Sequence, residues 1–181
     1  MSEPDNQFFL VSAGFLVKEL SDFAIRYFGR NSASKTISAS EIGMKWSSGG
    51  GNINTQGMSW ENSIAKSLPV HTRLPKNFKT FDFYIAKDKV AISAKSLDTQ
   101  TMSKLNRPKQ IYNTIKSNID DAAKFEGYRL SGVNLHSEMI AKREIWLAGP
   151  QSTTKAQWIE INRAVAYGES MNIEVKITQV K

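Results

Sequence analysis

Cysteine is absent from this 181-residue chain, and histidine occurs only at His71 and His136. The absence of cysteine excludes disulfide bonds, thiolate metal sites and a cysteine nucleophile. Two histidines argue against a multi-histidine metal cage. Any metal would therefore be bound by oxygen ligands, with at most one imidazole beside them.

Long apolar runs are also missing. The most apolar stretch, residues 8–17, ends at Lys18 and is far shorter than the roughly 20 residues of a membrane-spanning helix. Acidic residues precede it, whereas a signal peptide begins with basic ones. The surrounding pattern predicts an amphipathic helix over 8–28, but this helix lacks a basic polar face. No stable membrane insertion is expected, and a membrane-disrupting function ranks last among those considered.

Positive charge is concentrated in the second part of the chain. Residues 1–59 contain five basic and five acidic residues, whereas residues 60–181 contain nineteen and twelve and carry the whole net charge of +7. Lysines that approach phosphates release counterions, so this half favours a polyanionic partner. A lysine-rich surface without any partner explains the charge equally well.

Serine and glycine are enriched just before the charged part begins. The stretch "SSGGGNINTQG" at 47–57 is typical of a loop or linker. It divides the chain into a helical N-terminal extension (1–47), a linker (48–57) and a domain (58–181). An apolar content of 40% is enough for that domain to bury a core.

Short strands and helices are predicted to alternate through the domain. A helix over 59–68, capped by Ser59, is followed by an extended piece at 70–74. Later elements are strands at 81–86 and 90–96, a helix at 108–126, two or three strands within 128–149, a helix at 152–168 and a strand at 172–180. This order predicts an α/β (α+β) fold in which helices flank a mixed sheet.

The hairpin formed by 81–86 and 90–96 carries polar residues inside its strands. Alternation places Phe83 on the apolar face of the first strand and Ile92 on the apolar face of the second. These two faces must coincide to build a single core. A two-residue turn at 87–88 and a four-residue turn over 86–89 give the same register. In that register Asp82 lies opposite Ser93, and Lys95 lies diagonally across on the same face.

These residue types suit metal-assisted hydrolysis of a phosphodiester. Aspartate binds a divalent cation through oxygen, and a neighbouring lysine stabilises an attacking hydroxide or a pentacoordinate phosphate. Glu61 on the preceding helix is the obvious second carboxylate, and Ser93 offers a hydroxyl or a carbonyl. The alternative is an ordinary surface ion pair between Asp82 and Lys95, with Glu61 only complementing its helix dipole.

The pattern Glu61, Asp82, Ser93-x-Lys95 resembles that of the PD-(D/E)XK nucleases, although Ser93 stands where the usual pattern has a second acid. With these separations, residues 57–181 are similar to the C-terminal toxin domains of bacterial contact-dependent growth inhibition systems, in the zinc-dependent DNase group. The resemblance implies a restriction-endonuclease-like core and DNA cleavage with a divalent metal, Zn²⁺ before Mg²⁺ or Mn²⁺. Glu61 and Asp82 would be metal ligands, Ser93 would complete the metal environment, and Lys95 would be the catalytic lysine.

The resemblance also implies a partner and a place of action. A cognate immunity protein would neutralise the toxin, with strand addition to a hairpin within 128–146 as the expected contact. An ordinary meander is the alternative for that segment. Deleting 131–142 is expected to abolish immunity binding and spare cleavage. The toxin would be delivered from the surface of the producing bacterium as part of a secreted exoprotein, with 1–47 as a delivery segment, and would act in the target-cell cytoplasm.

Substrate choice stays open in the sequence. DNA and RNA, including tRNA, both present phosphates to a basic face, so an RNA-cleaving toxin of the same fold is a second hypothesis. A non-catalytic nucleic-acid-binding module is a third. Lys104, Lys109 and Gln110, at or near the start of the helix after the motif, are candidate phosphate contacts, with simple surface exposure as the alternative.

Overall fold

Alternating strands and helices build a mixed five-stranded sheet, in agreement with the predicted fold class. The computed structural model describes residues 36–181, so the helix predicted over 8–28 lies outside the described residues. Five strands form the sheet: β1 (Thr36–Ile37), β2 (Phe83–Ile85), β3 (Val90–Ser96), β6 (Lys142–Pro150) and β7 (Ile173–Val180). Their order is β1-β7-β6-β3-β2, parallel throughout except for antiparallel β2.

Two further strands, β4 (Gly127–Leu130) and β5 (Val133–His136), form a separate two-stranded sheet. The prediction of two or three strands within 128–149 is confirmed with three. The first two pair with each other as a hairpin, whereas residues 142–150 form a strand of the main sheet. Ser131 and Gly132 both have positive φ, 50° and 82°, which matches the tight two-residue turn that reverses the chain earlier.

Four α-helices are present between residues 36 and 181: α1 (Ile53–Ser67), α2 (Met102–Asn106), α3 (Lys109–Ala123) and α4 (Lys155–Ser170). On one face of the sheet, Trp60 and Ile64 of α1 pack with Phe83 and Ile92. On the other face, α3 and α4 pack on each other and on β7. A capping box between Thr154 and Gln157 begins α4. None of the helices described here is long and apolar enough to cross a bilayer.

The first helix begins earlier than predicted. Asn52, whose side chain accepts from the Asn54 amide, caps α1, while Ser59 lies buried inside the helix and donates to the Gly43 carbonyl at 2.8 Å. Serine and glycine suggested a loop, but Gln56 is also buried and donates to Ser96 at 2.9 Å. The residues predicted as a linker are therefore packed against the domain. Residues 36–47 of the predicted extension also belong to this domain, because β1 pairs with β7 and Met44 is buried in the core. The delivery role predicted for residues 1–47 stays a prediction.

Candidate active site

The register of β2 against β3 is the predicted one. Phe83 pairs with Ile92, and the turn spans the four residues 86–89. Asp82 directly precedes β2, and Lys95 lies near the end of β3. The Lys95 Nζ and the Asp82 Oδ2 are 3.9 Å apart. Regular strand alternation thus brings the acid and the base together, as the sequence indicated.

The Asp82 carboxylate has little compensation for its burial. Its side chain is 23% exposed, and its Oδ2 accepts a hydrogen bond of 2.7 Å from the Ala94 amide. Burial raises the pKa of Asp82 to about 6, although Lys95 and the Ala94 amide act in the opposite direction and Glu61 adds to the rise. A cation that approaches a carboxylate in this state stabilises its charged form.

Glu61, in the middle of α1, is the candidate for the second carboxylate. Its side chain is 29% exposed, and its charge acts on Asp82. The Arg73 guanidinium donates to the Glu61 Oε2 at 3.0 Å. Two carboxylates that repel each other at the sheet edge form a local negative site, which two basic side chains balance in part.

Ser93 is held by a backbone contact. Its side chain is buried, and its hydroxyl donates to the Thr80 carbonyl at 2.7 Å. Thr80 has a φ of 71°, a left-handed conformation that a β-branched residue rarely adopts. Because the hydroxyl proton is already donated, Ser93 offers a neighbouring cation only oxygen lone pairs.

The donor set fits a hydrated divalent cation better than a fully protein-coordinated one. Among residues 36–181, no cluster of three or more histidine, aspartate or glutamate side chains is arranged to hold a metal. Glu61 and Asp82 supply two carboxylates, so water and substrate oxygens would complete the coordination shell, as is usual for Mg²⁺ and for catalytic metal sites with open positions.

The predicted nucleic-acid contacts lie on the two helices after β3. Lys104 is part of α2, and its Nζ donates to the Thr101 Oγ1 at 3.3 Å. Lys109, which is exposed, and Gln110, which is half-buried, open α3. Their proposed role in binding phosphate stays a prediction.

Sequence reasoning missed two residues that contact the candidate carboxylates, and one further buried carboxylate. Arg73, from the extended segment that was predicted at 70–74, has no motif around it that indicates a partner. The hydrogen bond from the Ala94 amide could not be predicted, because almost every residue has a backbone amide. Asp98 is a buried carboxylate that accepts from Ser47, from the Ser48 amide and hydroxyl, and from the Gln100 amide. Its position just after β3, a strand with many buried residues, could have indicated a buried carboxylate.

Residues 56–178 match the family described as "CDI toxin restriction endonuclease-like domain". The chain belongs to this family. All four residues of the predicted motif, Glu61, Asp82, Ser93 and Lys95, fall within the matched segment.

Individual relatives are similar along nearly the whole chain. "Deoxyribonuclease CdiA-o11" of Escherichia coli O157:H7 (strain EC869) is 56% identical over 99% of this chain and 47% of its own length. "Deoxyribonuclease CdiA" of Yersinia pseudotuberculosis serotype O:3 (strain YPIII) is 53% identical over 99% of this chain and 16% of its own length. The chain thus spans less than half the length of these relatives.

A solved structure shares the fold. The "CdiA-CT/CdiI toxin and immunity complex from Yersinia pseudotuberculosis" contains a chain that is 55% identical, with a TM-score of 0.64 over 67% of this chain and 98% of that one. The restriction-endonuclease-like core that the sequence pattern implied is therefore confirmed.

Proposed function

We propose that this chain is a metal-dependent endonuclease toxin that hydrolyses the phosphodiester bonds of DNA in a target bacterium. One observation carries the proposal: the desolvated Asp82 carboxylate, with Lys95 at 3.9 Å and the charge of Glu61 acting on it, lies inside the segment that matches a nuclease toxin family. An ordinary surface ion pair would leave both partners well solvated.

Each residue of the site then has a chemical task. Glu61 and Asp82 would hold a divalent cation, which supplies Lewis-acid stabilisation of the phosphate charge and a more acidic water. The Ala94 amide fixes the orientation of the Asp82 carboxylate. Lys95, 35% exposed, extends its ammonium beside Asp82, where it would orient the attacking water and stabilise the negative charge of the pentacoordinate phosphate. Ser93 would line the metal environment.

Zinc is the cation that we propose, with Mg²⁺ or Mn²⁺ as alternatives. The support is the resemblance of the Glu–Asp–Ser-x-Lys pattern to the zinc-dependent DNase group. Oxygen ligands alone suit all three ions, so the donor set does not decide between them.

DNA is the proposed substrate because two relatives at 53% and 56% identity are named deoxyribonucleases. Cleavage of tRNA or another RNA by the same site is the alternative, since the basic half of the chain would attract either polymer.

A plasmid assay tests the proposal. Purified protein is treated with chelator, then supplied with Zn²⁺, Mg²⁺ or Mn²⁺, with plasmid and tRNA in parallel and Asp82→Ala as the control. We expect plasmid cutting that needs one of the ions and disappears in the variant. Cutting of tRNA alone would replace the substrate, and cutting by Asp82→Ala at the wild-type rate would refute the role of Asp82.

We further propose that a cognate immunity protein binds through the hairpin of β4 and β5. Within the described part of the chain, these strands pair only with each other, so their outer edges are open to an added strand. Val133 at the tip is 37% exposed, whereas the base is fixed by buried Leu135 and by an edge-to-face contact between Phe78 and Tyr128. The solved relative is a complex of a toxin with an immunity protein, which supports this partner.

Shortening this hairpin is a sharper test than the deletion of 131–142, because that deletion would remove the first residue of β6. Replacing residues 129–134 by Asn-Gly retains Tyr128 and Leu135 and closes the strands with a tight turn. We expect calorimetry to show loss of immunity-protein binding, with cleavage retained. Unchanged binding would exclude the hairpin as the contact.

Delivery from a producing bacterium and action in the target-cell cytoplasm complete the proposal. The longer relatives support a place within a larger exoprotein, and residues 1–47 would then serve delivery. Expression of the chain inside a bacterium without its immunity protein should stop growth and degrade DNA. Growth with intact DNA would contradict cytoplasmic action.

A further inference from the structure

Arg73 connects the two elements that carry the candidate carboxylates. Its guanidinium donates through Nη2 to the Glu61 Oε2 at 3.0 Å and through Nη1 to the Asn62 Oδ1 at 2.8 Å. The same group lies over the Phe83 ring, 5.9 Å from its centroid. The planar guanidinium therefore makes two directional contacts with α1 while it rests on β2, a geometry that lysine cannot reproduce.

The backbone around Arg73 is joined to the segment of Asp82. Arg73 forms an isolated antiparallel bridge with Phe83. The Leu74 amide donates to the Asp82 carbonyl at 2.9 Å, and the Tyr84 amide donates to the Thr72 carbonyl at 2.7 Å. The main chain on either side of Arg73 is thus joined to the segment of Asp82, while the Arg73 side chain is joined to Glu61.

We propose that Arg73 is a positioning residue that holds the Glu61 carboxylate toward Asp82 and so pre-forms the cation site. This inference rests on the proposed metal-dependent function. Without Arg73, Glu61 would be a flexible side chain on a helix surface, repelled by Asp82, and its ordering would have to accompany cation binding. With Arg73 in place, Glu61 is oriented in advance and its charge is partly balanced.

A merely structural ion pair would behave differently. The side chains of Arg73 and Glu61 are 43% and 29% exposed, and pairs this accessible contribute little to stability. Removing Arg73 should therefore leave the melting temperature nearly unchanged and weaken cation binding, whereas a structural role predicts the reverse. Cation affinity measured without DNA separates the two.

A matched control lies elsewhere in the chain. Arg163 of α4 pairs with Glu160 at 2.8 Å, is 49% exposed and lies 4.7 Å over the Tyr112 ring. Arg163→Ala thus removes an arginine with a carboxylate partner and an aromatic neighbour, as Arg73→Ala does, but outside the candidate site.

The experiment is calorimetric titration of the 181-residue protein with Zn²⁺ and, separately, Mn²⁺, for wild type, Arg73→Ala, Arg73→Lys, Asn62→Ala and Arg163→Ala. Positioning side chains around metal ligands contribute about 10- to 100-fold in affinity, so Arg73→Ala should weaken binding by about that factor. Arg73→Lys, which keeps the charge but not the fork, should fall between wild type and Arg73→Ala. Asn62→Ala should lose less than Arg73→Ala, and Arg163→Ala should bind as wild type does.

Wild-type cation affinity in Arg73→Ala would overturn the proposal, even if cleavage fell. A variant that binds cation normally but needs more plasmid for half-maximal rate would identify Arg73 as a phosphate contact instead. Failure of the underlying function has a different signature: wild type binds neither ion, or Glu61→Ala binds as tightly as wild type. In that case the inference also falls, because Arg73 would have no metal ligand to position.

Discussion

Asp82, just before β2, and Glu144, in β6, both have lysine neighbours, but their pKa values are shifted in opposite directions. Glu144, 5% exposed, accepts from Lys142 at 2.8 Å and from Lys176 and the Trp146 Nε1 at 2.6 Å. Burial alone would raise the pKa of Glu144, but these donors outweigh it and hold the pKa below its ordinary value. Asp82 has one amide at 2.7 Å and an ammonium at 3.9 Å, and burial raises its pKa to about 6.

The difference lies in distance rather than in residue type. Lys142 and Lys176 approach Glu144 from its own strand and from β7, and each reaches hydrogen-bond length. Lys95 stays beyond that length from Asp82, and Glu61 adds a repelling charge. The Glu144 cluster is complete and serves stability, whereas the Asp82 cluster lacks a positive charge at close range, which a divalent cation would provide.

Cleavage should separate the two regions most strongly. Asp82→Asn keeps the shape and the acceptor for the Ala94 amide but removes the charge, so we expect cutting of plasmid to fall by about 100-fold or more. Glu144→Gln should cut like wild type at a temperature where it is folded. A plasmid assay with both variants measures the two cleavage rates. Comparable losses of rate in both would contradict the distinction between Asp82 and Glu144.

Stability should change in opposite directions. With chelator at neutral pH, Asp82→Asn should raise the free energy of unfolding by on the order of 1–3 kcal/mol, because it removes a carboxyl group whose pKa is raised from 3.8 to about 6. Glu144→Gln should lower it by about 1–3 kcal/mol, because two lysines lose a charged acceptor. Urea denaturation of wild type and both variants gives the two signs, and equal signs would contradict the comparison.

The pH dependence sharpens the same contrast. The folded-state pKa of Asp82, about 6, lies above its ordinary 3.8, so its stabilising contribution is complete below pH 4 and is lost as pH rises through 6. The pKa of Glu144 is lowered from 4.5, so its contribution is present above pH 4.5 and is lost as pH falls through the lower folded value. With chelator present, the stability of wild type relative to Asp82→Asn should fall between pH 4 and 6, and relative to Glu144→Gln it should rise with pH. Parallel curves would contradict the prediction.

The arrangement of Asp82 and Lys95 was predictable because a strand has a period of two. Once Phe83 and Ile92 must share a face, either turn length gives the same register, and the polar residues follow. Helices α3 and α4 were predictable from local sequence as well. Buried Ile111, Ile115 and Ile119 recur at helical spacing, and Thr154 with Gln157 forms a capping box.

Other features depend on contacts that sequence does not display. The start of α1 was hidden because Gln56 and Ser59 are polar, and only their buried partners make a helix of that stretch. The place of residues 142–150 in the main sheet rests on parallel pairing with β3 and β7, which are distant in sequence, so no local pattern indicates it. Arg73 contacts Glu61 only because the chain reverses direction between them, and no local sequence pattern predicts this contact.

The salt dependence of plasmid binding, a smaller effect, would show whether the helices after β3 contact DNA together with the candidate active site or are ordinary surface. Each lysine that contacts a phosphate contributes about 0.9 to the slope of log affinity against log salt. Lys109→Ala and Lys104→Ala should each lower the slope of plasmid binding by about that amount, with the rate at saturating plasmid retained, whereas uncharged Gln110→Ala should weaken binding without changing the slope. Lys155, which is exposed and opens α4 as Lys109 opens α3, is the matched control. If the slope for Lys109→Ala equals that for Lys155→Ala and for wild type, Lys109 makes no phosphate contact. Loss of a phosphate contact always reduces the number of counterions released, and so reduces the slope.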